Sequence, residues 1–367
     1  MIRHAYVHVP FCASVCSYCA FFRSVNTNKM DAWMQVIEKE IQEELDRKRK
    51  EDPSFFLSTL YFGGGTPSLL SAGQLTKLLD LFKPYLQADA EITLEANPET
   101  ADLEKLQALR QAGFNRLSVG LQSFDDEALK KMGRHHSAAD SIAFLKNARK
   151  AGFDNISGDL MYAMPWQSLA DIQEDVQQYL QLDLEHLSIY SLILEENSVF
   201  GKTGVRQADE DLEADAYEWI CRTLKDHGYD HYEISSFAKE GRWSRHNLSY
   251  WQDEDYFGFG CGAWGRDEKG YYEGCHVLDS YLEKGYQKTY MADQDPAFEA
   301  IMMALRTRFG LDVKKWQTRY QKDFLKMYQS VLDKYPDKLV FENGRLFCTE
   351  KGMEILNSIL VEFLEVS

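Results

Sequence analysis

Residues 6–22 read YVHVPFCASVCSYCAFF, a short strand-like segment followed directly by three closely spaced cysteines. Residues 6–9 alternate and contain two β-branched valines, which predicts a strand, and a proline ends it. Cys12, Cys16 and Cys19 follow with the spacing C-x3-C-x2-C. A loop can wrap three side chains around one group, whereas a strand would alternate them across two faces. The stretch therefore predicts a cysteine-ligated site on the loop after a strand.

Three thiolates are one fewer than the four that close a structural zinc site or a simple electron-transfer cluster. A site with three protein ligands leaves one coordination position open for a substrate or cofactor. Two other interpretations remain beside an iron–sulfur cluster with a vacant iron. The cysteines could form a zinc knuckle completed by His8 or His4, or they could be unliganded buried thiols.

Composition excludes several classes of function. The 367 residues carry 41 basic and 58 acidic side chains, a net charge of −17, which argues against a nucleic-acid-binding surface. Plain solubility is the simpler explanation of this acidity. No apolar run reaches the roughly 18 residues of a membrane span, and no signal peptide is visible. Free cysteines in a cluster-like spacing predict a reducing, cytoplasmic setting.

Strand-like and helix-like segments alternate through the first half of the chain, which predicts a parallel sheet with crossover helices. The predicted strands are 6–9, 59–62, 91–95, 115–119, 155–160 and 186–191. The predicted helices are 29–50, 72–85, 102–112, 125–132, 138–151 and 169–181.

Polar residues recur where these strands end, at Glu95, Gln122, Asp159 and Ser191. Each alone could cap the following helix, but several in register are better explained as one ligand site. In βα barrels the carboxyl ends of the strands carry the active site. We therefore predict an α/β fold, a partial (β/α)6 TIM-like barrel whose rim faces the cysteine loop.

The second strand runs into three consecutive glycines at 63–65, followed by Thr66. Glycines at the end of a strand let the backbone come close to a ligand. A tight turn without a ligand is the alternative. Because this turn follows the cysteine loop by one βα unit, we expect it to belong to the same site.

The last third of the chain changes character. Residues 236–290 are aromatic and glycine-rich with no clear period. They follow a predicted helix-rich connection at 200–228 and a predicted seventh strand at 229–234. From about 294 the chain becomes helical, and two strand-like segments flank the turn signal Glu342-Asn343-Gly344 before a helix at 350–364. We predict three parts: a barrel at 1–235, a connecting region at 236–290, and a C-terminal helical, winged-helix-like module at 291–367.

The cysteine spacing, the preceding strand and the aromatic Tyr18 before the last cysteine resemble the radical S-adenosylmethionine (SAM) superfamily. The chain further resembles the oxygen-independent coproporphyrinogen oxidase group, which contains decarboxylating oxidases and HemW-type haem chaperones. Five segments carry this resemblance: YVHVPFC at 6–12, YFGGGTP at 61–67, EANP at 95–98, GFNRLSVGLQSF at 113–124 and MYAMPWQ at 161–167. One departure is Ala20, because the residue after the third cysteine is often acidic in this group.

The resemblance implies a 4Fe–4S cluster whose vacant iron is chelated by SAM, the source of a 5′-deoxyadenosyl radical. Its implied metal ligands are Cys12, Cys16 and Cys19. The implied contacts of the cluster-bound SAM are Tyr6, Gly64 and Glu95. The implied contacts of a second SAM are Tyr18, Gly65, Thr66, Gln122, Arg134 and Asp159. For Arg134 a surface ion pair is the alternative.

Two features separate the branches of this group. The oxidases carry a long segment ahead of the first strand, whereas here Tyr6 is the sixth residue. Residues 245–251 (RHNLSYW) fit the H-N-x-x-Y-W motif of the chaperone branch. A neutral His246 imidazole can ligate haem iron, and Tyr250 and Trp251 can stack on a macrocycle. Asn247 completes the motif, and the alternative is a buried polar corner in which a backbone carbonyl satisfies His246.

The resemblance therefore favours a haem chaperone that binds a 4Fe–4S cluster, SAM and haem. It would deliver haem to haem-dependent proteins, such as respiratory proteins at the membrane surface. An oxygen-independent coproporphyrinogen III oxidase, which decarboxylates two propionate side chains, is the alternative. A third interpretation makes the cluster only a stability or dimerisation element.

Overall fold

The computed structural model describes residues 2–291 and 295–366. Six parallel, hydrogen-bonded strands in sequential order form the centre of a larger open sheet, which confirms the predicted α/β partial barrel. They are β1 (His4–Val9), β2 (Leu57–Gly64), β3 (Leu86–Ala96), β4 (Arg116–Gln122), β5 (Ile156–Tyr162) and β6 (His186–Ser191).

Helices link these strands and cover one face of the sheet. Three of them begin with a serine capping box, which satisfies two backbone donors at each helix start. They are α1 (Met30–Glu51), α2 (Ala72–Phe82), α3 (Leu103–Ala112), α4 (Asp126–Lys131), α5 (Ala138–Lys150) and α6 (Leu169–Gln181). The sequence placed these helices to within a few residues, because their apolar positions recur with the period of a helix.

The two faces of the strands differ in polarity. In β4, Leu117, Val119 and Leu121 are fully buried in the core beneath the helices. The alternate positions Arg116 and Ser118 face the opposite way and line a cavity. Because side chains of a strand alternate between faces, this pattern encloses a polar interior inside the curved sheet.

Residues 199–290 extend the sheet at both edges. The predicted seventh strand is β7, which forms an antiparallel pair with β8 beside β6 and does not continue the parallel series. On the other side β9 pairs parallel with β1, and three short strands follow it outward. The elements are α7 (Val199–Lys202), α8 (Glu210–Asp226), β7 (Asp230–Glu233), β8 (Ser236–Ala238), α9 (Arg245–Trp251), β9 (Tyr256–Phe259), β10 (Trp264–Asp267), β11 (Gly270–Glu273), α10 (Leu278–Lys284) and β12 (Thr289–Tyr290).

The C-terminal residues build a second hydrophobic core around Trp316, Phe324 and Leu346. The predicted helical onset near 294 lies outside the described residues, and the predicted helix 350–364 is divided at Ile355. The elements are α11 (Pro296–Leu305), β13 (Leu311–Asp312), α12 (Val313–Tyr320), α13 (Phe324–Lys334), β14 (Leu339–Glu342), β15 (Arg345–Cys348), α14 (Glu350–Glu354) and α15 (Leu356–Val366). The two boundaries between the predicted parts stay a prediction.

A buried carboxylate joins this second core to the sheet. Asp253 is 8% exposed and follows α9 in a left-handed conformation, with φ of 59°. Its carboxylate pairs with Arg266 of β10, lies 3.6 Å from an Arg319 nitrogen, and accepts a 2.6 Å hydrogen bond from the Tyr320 hydroxyl. Since Arg319 and Tyr320 belong to α12, the contact ties the C-terminal helices to the outer strands.

We expect Asp253→Asn to lower the free energy of unfolding by about 3–5 kcal/mol, because it leaves the buried Arg266 guanidinium without its counter-charge. Asparagine tolerates the left-handed conformation, so the change isolates the charge. Urea unfolding followed by tryptophan fluorescence measures the loss. Asp89→Asn is the control: its exposed carboxylate lies 3.7 Å from Arg245, a surface pair worth about 0–1 kcal/mol. Equal losses in the two variants would contradict the assigned role of Asp253.

Candidate functional site

A cavity of about 400 Å³ lies at the carboxyl ends of the parallel strands. One wall is the cysteine loop, a second is the glycine turn after β2, and the base is formed by inward-facing residues of β3 to β6. Twelve of the residues proposed from the sequence line it: Cys12, Cys16, Tyr18, Cys19, Gly64, Gly65, Thr66, Glu95, Gln122, Arg134, Asp159 and Asn247. The structure therefore brings together residues from distant parts of the chain.

The cysteine loop presents its sulfurs to the cavity. The Thr66 hydroxyl lies 3.7 Å from the Cys12 Sγ atom, and Arg134 Nη1 lies 3.5 Å from the Cys16 Sγ atom. Burial raises the pKa of the Cys12 and Cys19 thiols. Thiolate ligation would therefore displace protons from both.

The donor set fits a cluster better than a zinc ion. Within residues 2–291 and 295–366, no three metal-ligating side chains surround a single-ion position. In a 4Fe–4S cluster each thiolate binds its own iron, so the sulfurs stand apart. The histidines of the zinc-knuckle alternative are engaged elsewhere: His8 Nε2 lies 3.0 Å from the Phe22 carbonyl, and His4 bonds to Thr59 and Glu254.

The glycine turn packs directly against the cysteine loop. The Gly65 and Thr66 amides donate to the carbonyls of Val9 and Phe11 at 2.9 and 2.7 Å. A Cβ atom on Gly65 would lie 2.7 Å from the Phe11 carbonyl oxygen and 3.0 Å from the Cys12 Sγ atom. The turn therefore needs glycine for its approach to the cysteine loop itself, in addition to any approach to a ligand.

Two partly buried carboxylates face the cavity. Glu95 accepts hydrogen bonds from the Tyr61 hydroxyl at 2.8 Å and the Gly64 amide at 3.1 Å, and burial raises its pKa to about 7. Asp159 accepts bonds from the Ser118 hydroxyl at 3.1 and 3.3 Å, and burial raises its pKa to about 6. Carboxylates held in this way favour a cationic ligand, whose charge offsets their desolvation.

Arg134 is partly buried and bonds to two segments of the cavity wall. Its Nη2 donates to the Asn97 side-chain oxygen and to the Gly120 carbonyl, both at 2.8 Å. Its Nε has no hydrogen-bond partner. This environment differs from a surface ion pair, and contact with SAM stays a prediction. Nearby, Gln122 takes φ of 68° at a register shift between β4 and β5, an irregularity that often re-aims a side chain beside a site.

The H-N-x-x-Y-W motif is α9, and most of it lies outside the cavity lining. His246 is fully buried, with Nδ1 2.7 Å from the Thr59 hydroxyl and Nε2 2.6 Å from the Tyr250 hydroxyl. Burial holds its pKa well below the ordinary value, so the ring is neutral. The partners of this polar corner are two side-chain hydroxyls, where the sequence suggested a backbone carbonyl. In this arrangement neither ring nitrogen is open to a metal.

The other motif residues point in different directions. Asn247 lines the cavity, whereas the Trp251 ring lies on the far side, 5.7 Å from the Arg306 guanidinium. The His246 ring stacks on Tyr61 with centroids 5.1 Å apart, and Tyr6 stacks on both. Tyr6 is therefore a neighbour of the Glu95 partner Tyr61 and is outside the cavity lining.

Sequence reasoning missed several lining residues. Arg116, Ser118 and Ser188 lie on the inner face, at alternate positions of strands that it had located. The cavity mouth carries exposed apolar side chains, among them Phe21 and Ile193. Alternation along β4 and β6 was the signal for the inner residues, but the sequence does not mark which face of a strand points inward.

Comparison with known proteins decides the family. The family model described as "Radical SAM superfamily" matches residues 6–178, and that described as "HemN C-terminal domain" matches residues 291–355. A Bacillus subtilis (strain 168) relative named heme chaperone HemW is 35% identical over 385 residues, covering 99% of both chains. The chain belongs to the HemW family of radical SAM proteins.

Further relatives agree with this membership. A Lactococcus lactis protein, also named heme chaperone HemW, is 36% identical and covers 98% of this chain and 97% of its own. A mitochondrial radical SAM domain-containing protein from Bos taurus is 32% identical over 98% of this chain and 86% of its own. Coproporphyrinogen III oxidase from Escherichia coli shares the fold, with a TM-score of 0.80 at 23% identity over 99% and 90% of the two chains.

Family membership means that the protein binds a 4Fe–4S cluster and SAM. The bound pair supplies a reductively generated adenosyl radical in this superfamily. The cavity of this chain provides an enclosed volume lined by the Glu95 and Asp159 carboxylates. None of the helices in the described part of the chain has the length and apolarity needed to cross a membrane.

We expect Gly65→Ala to reduce cluster content strongly, because the new methyl group would displace the Phe11 carbonyl and the Cys12 sulfur. Iron and sulfide per chain after anaerobic reconstitution measure this loss. Gly73→Ala is the matched control, since the nearest atom to its Cβ is the Ser71 hydroxyl at 4.0 Å. A Gly65→Ala protein with the full iron content would show that the turn does not constrain the cysteine loop.

The raised pKa of Glu95 predicts a pH dependence of stability. Between its unfolded value of 4.5 and its folded value of about 7, the folded protein holds a proton that the unfolded chain releases. The stabilisation is therefore present below about pH 4.5 and is lost as pH rises through about 7. We expect Glu95→Gln, which cannot ionise, to lose less thermal stability than wild type between pH 5 and 8 in the absence of SAM.

Melting temperatures across this pH range test the expectation, with Glu104→Gln at an exposed site of α3 as control. The Glu104 variant should follow the wild-type profile. Identical profiles for wild type and Glu95→Gln would refute the assigned protonation.

Proposed function

We propose that this protein is a haem chaperone that holds a 4Fe–4S cluster, SAM and haem and delivers haem to haem-dependent proteins. The observation that carries the proposal is similarity along the whole chain. Relatives from three bacteria, each named heme chaperone HemW, align with 98–99% of the chain at 31–36% identity. A short shared motif would support only the superfamily chemistry, whereas this similarity extends over both hydrophobic cores.

The geometry supports the cofactor part of the proposal. We assign Cys12, Cys16 and Cys19 to the cluster. We assign the SAM-binding role to residues of the cavity and to Tyr6 beside it: Tyr6, Tyr18, Gly64, Gly65, Thr66, Glu95, Gln122, Arg134 and Asp159. The ammonium and sulfonium groups of SAM are cations, and the partly buried carboxylates Glu95 and Asp159 face the volume that they would enter. SAM binding should therefore favour the ionised carboxylates.

The proposed haem contacts are His246, Asn247, Tyr250 and Trp251. Since both nitrogens of His246 are bonded to hydroxyls, iron ligation requires the ring to exchange Tyr250 or Thr59 for the metal. Only Asn247 already lines the cavity. Haem ligation by this motif thus implies a rearrangement of α9, which a spectroscopic comparison can detect.

The proposal extends to setting and partners. Haem acceptors are proteins that require haem, including respiratory proteins at the membrane surface, and the setting is the cytoplasm. The dimeric state belongs to the same proposal, and sedimentation of the reconstituted protein tests it.

A pair of anaerobic assays on one reconstituted sample tests the function. Haem is titrated by absorbance into wild type, His246→Ala and His186→Ala. His186 is the matched control because it is also fully buried, with both ring nitrogens bonded to hydroxyls, those of Ser157 and Tyr232. Loss of either ring therefore creates a similar defect in packing.

We expect saturable haem binding that weakens at least tenfold in His246→Ala and stays near wild type in His186→Ala. Equal losses in the two variants would remove His246 from the haem site. Coproporphyrinogen is then offered with SAM and a reductant. Absence of decarboxylated product is expected of a chaperone, and formation of protoporphyrinogen would overturn the proposal in favour of the oxidase.

A further inference from the structure

The base of the cavity holds a buried arginine with no role in the site described above. Arg116 is the first residue of β4, so it lies deeper than Ser118 and Gln122, which face the same interior further along the strand. Its side chain is 1% exposed and lines the cavity together with Glu95 and Asp159. Leu117 between these positions points into the hydrophobic core.

The guanidinium of Arg116 has donors without acceptors. Its Nε is buried and has no hydrogen-bond partner, and none of the carboxylates in the described part of the chain forms an ion pair with it. The nearby carboxylates use other donors: Glu95 bonds Tyr61 and Gly64, and Asp159 bonds serine hydroxyls. The charge of Arg116 acts on both carboxylates, lowering their pKa against the effect of burial, but its donors have no hydrogen-bond acceptor among these neighbours.

The second arginine of the cavity provides a contrast. Arg134 Nη2 already donates to Asn97 and Gly120, and Nη1 faces the Cys16 sulfur. Both terminal nitrogens of Arg134 thus contact groups of the cavity wall. The guanidinium of Arg116 makes no such contacts with the described residues. An arginine does not lose its proton in a protein, and a buried guanidinium whose donors lack acceptors opposes folding. A ligand that brings a negative charge would remove that cost.

We propose that Arg116 binds the carboxylate of a ligand that enters this cavity. A guanidinium pairs with a carboxylate through two parallel hydrogen bonds, which fixes orientation as well as position. The arrangement of two carboxylates above one guanidinium suits a ligand that carries both a cation and a carboxylate, and it disfavours a polyanion such as a triphosphate. The new assignment is thus a carboxylate subsite at the base of the cavity.

Two ligands of this protein carry such a group. SAM has the carboxylate of its methionine moiety, and haem has two propionates. If the carboxylate belongs to haem, the subsite rests on the proposed function. If it belongs to SAM, the subsite rests only on family membership. Each ligand has an analogue without the charge: decarboxylated SAM lacks the carboxylate, and haem dimethyl ester has neutral propionates.

The test measures dissociation constants of both ligand pairs on reconstituted wild type, Arg116→Gln and Arg116→Lys. Arg116→Gln is expected to weaken one carboxylate ligand at least tenfold while the matching analogue binds wild type and variant alike. Arg116→Lys, which keeps the charge without the planar pair of donors, should recover part of the loss. The pair that shows this difference identifies the carboxylate, that of SAM or that of haem.

Cluster content and melting temperature show whether each variant is folded. If Arg116→Gln does not fold, Arg116→Lys is compared with wild type instead. Equal effects on a ligand and its analogue in both pairs, or no effect on any ligand, would overturn the subsite and leave Arg116 as a counter-charge for Glu95 and Asp159. If wild type fails to bind haem at all, the proposed function fails, and the SAM pair still decides the role of Arg116.

Discussion

The contact between the glycine turn and the cysteine loop is the constraint on which the site depends. Two amides of the turn bond the carbonyls of Val9 and Phe11, and the missing Cβ of Gly65 leaves room for the Cys12 sulfur. The two segments are separated by helix α1, and the parallel pairing of β1 with β2 brings them together. The first cysteine, the glycine turn and two strand ends thus form one hydrogen-bonded and closely packed unit, as a pre-organised cofactor site requires.

Above this unit the interior of the sheet is unusually polar for a protein core. Arg116 is buried and Glu95, Asp159 and Arg134 are partly buried. Hydroxyls, an amide side chain and backbone groups hold the last three. Buried charge opposes folding unless it is paired or solvated. The apolar faces of the same strands, packed beneath α1 to α6, supply the burial that offsets this cost. The chain therefore combines a stabilising apolar layer beneath the helices with a polar, charged layer that lines the cavity.

The α9 motif contacts the residues that hold the Glu95 carboxylate. The His246 ring stacks on Tyr61, and the Tyr61 hydroxyl bonds Glu95. Glu91 accepts hydrogen bonds from the amides of Arg245 and His246 and fixes the start of the helix. The motif thus supports the carboxylate side of the cavity from behind. The proposed haem ligation by His246 would alter this support, because Tyr61 contacts both His246 and Glu95.

The sequence by itself determined the cysteine loop, the glycine turn and the alternation of strands and helices. These are local signals, written in spacing, in apolar periodicity and in turn residues. Tertiary structure decided what local signals do not contain: that β9 joins β1, that His246 is enclosed by two hydroxyls, and that Arg116 faces the cavity with donors unpaired. Such features depend on contacts between residues far apart in the chain, and no short stretch specifies which face of a strand is enclosed or which partners meet it there.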